Sequence, residues 1–347
     1  MRAITIMFCL CCWLYLGQGA AQAQAGTVAA LPAGREVVDM RWLDRETLVV
    51  VYREAGEAGV LLAQAGQGIT ELSVPRSLER CGGDPEQFRL TLAPLGNSLA
   101  LVERGESVLS ASRLSVFRIS HDGVEAASTY RLPMEFWPDE VCWDEAGANL
   151  FMSARPFLQP KQPLSLAMFR LADSAFVPLL ERTELDLIDG LAFLPRSGEL
   201  AVLCRSHAGS YPALPLVVLI NPDGNRSRVL LGDAAGAELQ LLDSGDLLLR
   251  TRNGKLEDWQ LPASGSEIRK LDAGAELGWG CQLSRNAAWL ALPTEAGLLL
   301  QPGTGGEALE AELQARLFRF NHDGSLLAAL AAGTNQLQII ELPVQAE

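Results

Sequence analysis

Four carboxylates in this sequence stand just before apolar triplets of the kind that form buried β-strands. They are Asp39, Glu140, Asp189 and Glu238. If the strands that follow them lie side by side around one axis, the four side chains meet at one end of that axis. Carboxylates at close range repel one another, which raises their pKa values or recruits a hard cation such as Ca²⁺ or Mg²⁺. The pattern therefore predicts a metal or acid–base site built from these four residues.

An alternative interpretation of the same carboxylates requires no metal ion. Nearby arginines would neutralise them as ion pairs, or the carboxylates would point apart into solvent. The candidate arginines are Arg41, Arg89 and Arg319. Carboxyl pairs that catalyse glycoside hydrolysis lie about 5–9 Å apart, so the spacing of these side chains decides between the two interpretations.

Two proline-rich loops and one short connection carry aromatic residues that point to a binding surface. The loops span 154–165 and 206–215, and the connection spans 136–138. Together they would present Phe136, Trp137, Phe157 and Tyr211, with His207 close to Tyr211. Exposed aromatic side chains with a polar rim are typical of binding hot spots. The alternative is that Trp137 and Phe157 fold back onto the strands beneath them.

The other reactive residue types indicate no second site. His121 and His322 each stand in a His-Asp-Gly turn, and three dispersed histidines do not make a three-histidine metal centre. No Gly-x-Ser-x-Gly motif is present. Four cysteines follow the N-terminal apolar run without CxxC spacing, and we expect them to be unpaired and mostly buried. They are Cys81, Cys142, Cys204 and Cys281.

The elements that must position these residues form a repeat. Seven times, an apolar–x–apolar triplet leads through a polar turn into a second apolar strand. The second strands begin 37 to 51 residues apart, at Leu48, Leu99, Leu150, Leu200, Leu247, Trp289 and Leu326. A third strand and a fourth complete the unit, as in 114–119 and 126–132. A repeat of this length made only of short strands predicts four-stranded propeller blades.

The two ends of the repeat complement each other. The seventh copy stops after its third strand near Pro343, and the segment from Thr27 to Leu31 is a surplus strand before the first copy. Pairing them would close the ring and leave no open sheet edge. We therefore expect an all-β fold, a single seven-bladed β-propeller of four-stranded antiparallel blades, closed by the N-terminal strand. The stretch 307–316 is a candidate helix, but its position between blades 6 and 7 fits a strand and a loop, or one short turn, better.

The repeat resembles those of the WD40-like and TolB-like propellers. The resemblance rests on an apolar–x–Phe triplet, a turn with Pro, Asn or Asp, a glycine and an apolar strand, as in Phe193 to Leu200 and Phe320 to Leu326. It covers residues 28–343. Trp259 stands where the eukaryotic repeats place their tryptophan, but the matching Asp and the Gly-His dipeptide are absent. The resemblance implies a seven-bladed ring whose faces bind partners.

The first 25 residues have the layout of a secretory signal peptide. Arg2 precedes an apolar run from Ile4 to Leu16, and small-x-small cleavage sites follow at 21–23 and 23–25. We expect residues 1–25 to be removed, residues 26–347 to form the propeller domain, and the protein to be periplasmic or secreted. The net charge of −14 argues against nucleic-acid binding, because an acidic surface repels phosphate backbones. No later apolar run is long enough for a membrane span.

These features predict a non-catalytic, exported and monomeric binding scaffold. It would recognise a protein or peptide on the face of the ring where the inner strands begin. The predicted binding residues are Phe136, Trp137, Phe157, His207 and Tyr211. The alternative is a propeller enzyme, a hydrolase, lyase or lactonase, that uses the four carboxylates and a bound Ca²⁺ or Mg²⁺ at the mouth of the central channel. The partner and the choice between scaffold and enzyme stay open at this point.

Overall fold

The computed structural model shows seven antiparallel β-sheets that stand as consecutive blades around a central channel. This confirms the predicted fold class. The structure describes residues 21–22, 25–32, 34–79, 87–105, 110–134, 136–154, 164–181, 187–205, 215–221, 226–229, 235–253, 255–263, 268–271, 280–303, 305–334 and 336–343. Phe157, His207, Tyr211 and Cys81 lie outside these residues.

The strands follow the repeat along the chain. Two short strands come first, β1 (Ala21–Gln22) and β2 (Ala25–Ala30). Blades 1 and 2 comprise β3 (Glu36–Trp42), β4 (Thr47–Glu54), β5 (Glu57–Gln64) and β6 (Gly68–Glu71), the short helix α1 (Arg76–Glu79), then β7 (Phe88–Leu92), β8 (Ser98–Glu103), β9 (Arg113–Ser120) and β10 (Gly123–Arg131). Blades 3 and 4 comprise β11 (Pro138–Trp143), β12 (Asn149–Ala154), β13 (Leu164–Arg170) and β14 (Ala175–Glu181), then β15 (Leu187–Leu194), β16 (Glu199–Arg205), β17 (Pro215–Ile220) and β18 (Arg226–Val229).

The last three blades have the same order from the channel outwards. Blade 5 comprises β19 (Ala235–Leu241), β20 (Leu247–Asn253), β21 (Lys255–Leu261) and β22 (Arg269–Lys270). Blade 6 comprises β23 (Gln282–Leu283), β24 (Trp289–Pro293), β25 (Leu298–Pro302) and β26 (Leu309–Ala311). Blade 7 comprises β27 (Ala315–Phe320), β28 (Leu326–Ala331) and β29 (Gln336–Glu341). The stretch 307–316 thus forms a strand and a loop, as expected.

Blade 7 takes its fourth strand from the N-terminal part of the chain. Strand β2 pairs antiparallel with β29, with Val28 opposite Gln338 and Ala30 opposite Gln336. This is the predicted ring closure. Strand β1, which lies within the predicted signal peptide, pairs in parallel with β26 of blade 6. Arg35 follows the closing strand and forms ion pairs with Glu54 at 2.9 Å and Glu71 at 3.1 Å in blade 1.

The strands of a blade bury both of their faces, because each blade packs between two neighbours. In β4, Val49 and Val51 pack against blade 2, while Leu48 and Val50 pack against blade 7. Within the described residues, one apolar cluster lies at each of the seven interfaces between blades. Burial of one such side chain contributes about 1.5–3 kcal/mol. The unbroken apolar run from Leu48 to Val51 is therefore the signature of a two-sided strand.

Polar side chains join the inner strands of neighbouring blades. The Trp42 Nε1–H donates to the Arg319 carbonyl oxygen at 3.1 Å, and the Trp143 Nε1–H donates to the Thr91 carbonyl oxygen at 3.2 Å. Each bond spans two blades, so the inner ring is held by side chains as well as by apolar packing. We call the face where the inner strands begin the top face. The bottom face carries the turns that lead from each inner strand to the second strand.

Three of the four cysteines that follow the N-terminal apolar run lie among the described residues. Cys204 and Cys281 are buried, and Cys142 is half-buried. Burial raises the pKa of the Cys142 thiol, which keeps it protonated.

None of the helices in the described ranges has the length and apolar character needed to cross a membrane.

The glycine of the repeat packs a bottom turn onto the preceding blade. Gly96 has a φ of +67°, and a Cβ atom added to it would lie 2.9 Å from the Trp42 carbonyl oxygen. Gly198 occupies the matching turn of blade 4 with a φ of +69°, but no described atom lies within 4 Å of its added Cβ. The two positions share the left-handed backbone and differ in inter-blade contact.

Alanine at these two glycines separates backbone strain from blade packing. We expect Gly198→Ala to lower the free energy of unfolding by about 1 kcal/mol, the cost of a left-handed alanine. Gly96→Ala should lose about 1–3 kcal/mol more, because its methyl group collides with blade 1. Urea unfolding of the two variants measures both values. Equal losses would show that the Gly96 turn does not depend on close packing against blade 1.

Candidate functional site

The four predicted carboxylates lie within the inner strands, because these strands begin before the apolar triplets. Asp39 is in β3, Glu140 in β11, Asp189 in β15 and Glu238 in β19. Among the residues that the structure describes, no three Asp, Glu, His or Cys side chains cluster closely enough to hold a metal ion. The predicted carboxylates are therefore not gathered into one ligand set.

Asp39 acts as a link between blades 1 and 2. Its Oδ1 accepts a hydrogen bond from the Met40 N–H at 2.8 Å, and its Oδ2 accepts from the Leu92 N–H at 3.3 Å. Arg41 Nε lies 3.8 Å from Asp39 Oδ1. These contacts match the alternative in which an arginine neutralises the carboxylate.

Glu140 also faces an arginine. Its Oε1 lies 3.6 Å from Arg89 Nη2, and burial raises the pKa of Glu140 while the Arg89 charge opposes that rise. Asp189 and Glu238 are exposed. Glu238 lies opposite Arg250 in the β19–β20 ladder. At three of the four positions an arginine is thus close to the carboxylate.

The aromatic surface predicted on the top face is smaller than expected. Phe136 is buried, and its ring packs edge-on against Phe176 at 5.0 Å between centroids. The prediction that Phe136 is exposed is therefore wrong, because its side chain belongs to the apolar core between blades 2 and 3. Trp137 is half-buried. The sequence reasoning missed Met134, whose side chain is 51% exposed in the same connection.

A buried arginine, Arg104, holds the connection between blades 2 and 3 in place. The Arg104 side chain is 2% exposed, its Nε–H donates to the Pro138 carbonyl oxygen at 2.7 Å, and its Nη2 pairs with the Asp139 carboxylate. Arg104 follows β8 of blade 2, whereas its partners begin the inner strand of blade 3. The ion pair therefore clamps two blades together directly beside Trp137.

A concave site lies at the opposite end of the channel. It is a cavity of about 160 Å³ on the bottom side, formed by the ends of the inner strands and the turns that follow them. Every blade contributes to its wall, for example through Arg41, Leu95, Trp143, Phe193, Asp243, Arg285 and Phe320. His322 also lines it from a turn, as its His-Asp-Gly context predicted. We call this space the lower cavity.

Two arginines and one aspartate form the inner wall of the lower cavity. Arg41 Nη1 lies 3.9 Å from Asp243 Oδ1, and Asp243 Oδ2 accepts a hydrogen bond from the Phe320 N–H at 2.9 Å. Burial raises the pKa of Asp243, against the charges of Arg319 and Arg41. Burial also lowers the pKa of Arg319, and the neighbouring Arg41 lowers it further. Asp243 therefore reaches from blade 5 to blades 7 and 1.

An ion pair spans the outer rim of the lower cavity. Arg285 of blade 6 pairs with Glu145 of blade 3, and the two side chains are 49% and 34% exposed. A second pair on the same face joins Arg45 of blade 1 to Asp323 of blade 7 at 2.9 Å. Both carboxylates that line the cavity, Asp243 and Glu145, are thus engaged by arginines, and the wall is suited to binding an anion.

No protein-family model matches the chain, and no curated protein matches it either. Solved structures do match over nearly the whole length. The Neurospora crassa Pan2 WD40 domain has a TM-score of 0.59 and 12% identity, covering 95% of this chain and 98% of that chain. An oligogalacturonate lyase in complex with manganese has a TM-score of 0.58 and 12% identity, covering 93% and 98%. The fold is that of the WD40-like β-propellers.

A third similar structure is the β-propeller domain of Myceliophteria thermophila Cps50 (Swd1). Its TM-score is 0.56 at 10% identity, and the match covers 92% of this chain and all of that one. At such identities the likeness shows the fold alone. The propellers with this fold include WD40 domains and a lyase, so the site has to be judged by its own chemistry.

The Arg104 clamp can be tested against an exposed ion pair of the same chemistry. Asp139→Asn removes the carboxylate that pairs with the buried Arg104, and we expect a loss of about 3 kcal/mol in the free energy of unfolding. Asp173→Asn, which breaks the exposed pair with Arg170 in blade 3, should cost no more than about 1 kcal/mol. Urea unfolding compares the two variants. Similar small losses in both would show that the clamp adds little to the top face.

The raised pKa of Asp243 predicts a dependence of stability on pH. The folded chain holds this proton more strongly than the unfolded chain, so the free energy of unfolding falls as pH rises from the ordinary pKa of 3.8 through the raised value. Asp243→Asn keeps a hydrogen-bond acceptor but does not ionise. We therefore expect the variant to gain stability relative to the native chain across this range, measured by urea unfolding at several pH values. A relative loss with rising pH would mean that the arginines outweigh burial.

Proposed function

We propose that this propeller is a non-catalytic, exported binding scaffold that holds a protein or peptide on its top face. The main support for this proposal is that Met134 is exposed beside the half-buried Trp137 in the connection between blades 2 and 3. Apolar side chains that remain exposed on a rigid surface favour partner binding. The Arg104 clamp holds this connection in place, so little conformational entropy is lost when a partner binds.

The charges of the chain indicate the character of the partner. The net charge of −14 favours encounter with a basic protein or peptide, mainly through the association rate. Asp139 and Glu140 follow Trp137 closely in the chain, and their carboxylates lie 4.0 and 3.6 Å from the Arg89 guanidinium, so polar groups are available for a rim. An apolar centre with a polar rim is the usual anatomy of a binding surface.

The enzyme alternative has less support. It requires several carboxylates close together around a concave pocket. Asp39 and Glu140 instead lie next to arginines, and the lower cavity lies at the other end of the channel. The lyase among the similar structures shares the fold with this chain at 12% identity, and this likeness carries no information about activity.

Site-specific photocrosslinking tests the scaffold proposal. A photoreactive amino acid at Met134 in the full chain, irradiated in the producing cells, should give one discrete higher-mass adduct. The control position is Glu125, which is exposed on the outer strand β10 of the same blade. A discrete adduct at Met134 and none at Glu125 is the expected result. No adduct at Met134, or the same adducts at both positions, would contradict a partner surface here.

A further inference from the structure

The lower cavity is positively charged in an acidic protein. Its wall holds four arginines, Arg41, Arg196, Arg285 and Arg319, and two carboxylates, Asp243 and Glu145. The whole chain has a net charge of −14. A concave site with an excess of charges of one sign concentrates ligands of the opposite sign. The lower cavity therefore attracts anions although the protein as a whole repels them.

Two of the arginines have buried donors that no described residue accepts. Nε of Arg41 and Nε of Arg319 are buried and make no hydrogen bond with the described part of the chain. The nearest carboxylate oxygen to Arg41 Nε is 3.8 Å away, which is beyond hydrogen-bond distance. A buried charged donor without an acceptor is costly. An anion in the cavity would bring its oxygens to this end of the channel, where the positive charge is in excess.

Most of the remaining wall is apolar, although Ser244, Asn321 and His322 also contribute to it. Trp143, Phe193 and Phe320 line the cavity, as does Leu241, which is 37% exposed. Leu241 and Met134 are the two large apolar side chains that stay exposed among the described residues. An apolar wall beside buried guanidinium groups fits a ligand with an anionic head and an apolar body. The volume of about 160 Å³ limits that ligand to a small molecule.

We propose that the lower cavity binds a small organic carboxylate with an apolar body. The planar guanidinium group matches a carboxylate in geometry and charge. The ligand's carboxylate would lie towards Arg41 and Arg319, and its apolar part would contact the aromatic wall. At the rim, the ligand competes with Glu145 for Arg285. This site lies on the bottom face and is independent of the partner surface around Met134.

Titration of the full chain with benzoate tests this proposal, with isothermal titration calorimetry as the readout. Benzylammonium has the same ring with the opposite charge, and inorganic phosphate has the charge without the ring. We expect benzoate to bind, phosphate to bind more weakly, and benzylammonium not to bind. Absence of benzoate binding, or equal binding of benzylammonium, would overturn the proposal. If phosphate binds as tightly as benzoate, the proposal that the ligand has an apolar body is wrong.

Substitutions place the binding in the lower cavity. Arg285→Ala should weaken benzoate binding about tenfold, the usual effect of losing one charge-assisted hydrogen bond. The matched control is Arg170→Ala, since Arg170 is 48% exposed and ion-paired as Arg285 is. It should leave the affinity unchanged. Equal effects of the two variants would show that benzoate binds elsewhere.

Asp243→Asn should change the affinity for benzoate in the opposite direction. It removes a negative charge that competes with the ligand for Arg41 and Arg319, so the affinity for benzoate should rise several-fold. A fall in affinity would contradict the assigned position of the carboxylate. Arg319→Gln should weaken binding at least tenfold. If this variant does not fold, as shown by circular dichroism, Arg285→Ala and Asp243→Asn still decide the outcome.

Discussion

Closure of the ring is the constraint on which the rest of this structure depends. Each blade buries both faces against neighbours, so a missing neighbour would expose an apolar sheet face and an open edge. Strand β2 prevents this by pairing with β29, although the two are more than 300 residues apart in the chain. Arg35 then ties the closing segment to blade 1 through Glu54 and Glu71. The blades enclose a channel with two mouths because this strand pairing closes the ring.

A closed ring of seven inner strands also forces charged side chains into a narrow space. The chain resolves this with pairs that link different blades: Arg104 with Asp139 at the top, Arg41 with Asp243 inside, and Arg285 with Glu145 at the bottom. At the top the arginine is buried and paired with the carboxylate of the next blade, which makes it a clamp. At the bottom the arginines outnumber the carboxylates, which makes the lower cavity a site for anions. The same residue types therefore stabilise one mouth and provide the binding chemistry of the other.

The fold could be predicted from the sequence because the repeat encodes local rules. Apolar triplets and turn glycines such as Gly96 recur along the chain, and the surplus N-terminal strand supplies the fourth strand that blade 7 lacks. The site could not be predicted in the same way. Phe136 and Met134 lie two positions apart in one connection, and only packing against Phe176 decides which of them is buried. Asp243 and Arg319 stand in different blades, so no sequence spacing shows that they meet.

The central claim is that small anionic ligands bind at the arginine-lined bottom of the channel, and not beside the carboxylates nearer the top; the partner surface around Met134 is a separate site. A crystal structure of the full chain with 4-bromobenzoate tests it most directly, since anomalous scattering from bromine locates the molecule without ambiguity. We predict one bromine peak inside the lower cavity, with the carboxylate directed at Arg41 and Arg319. A peak at the top mouth beside Glu140 and Asp189, with an empty lower cavity, would contradict the account.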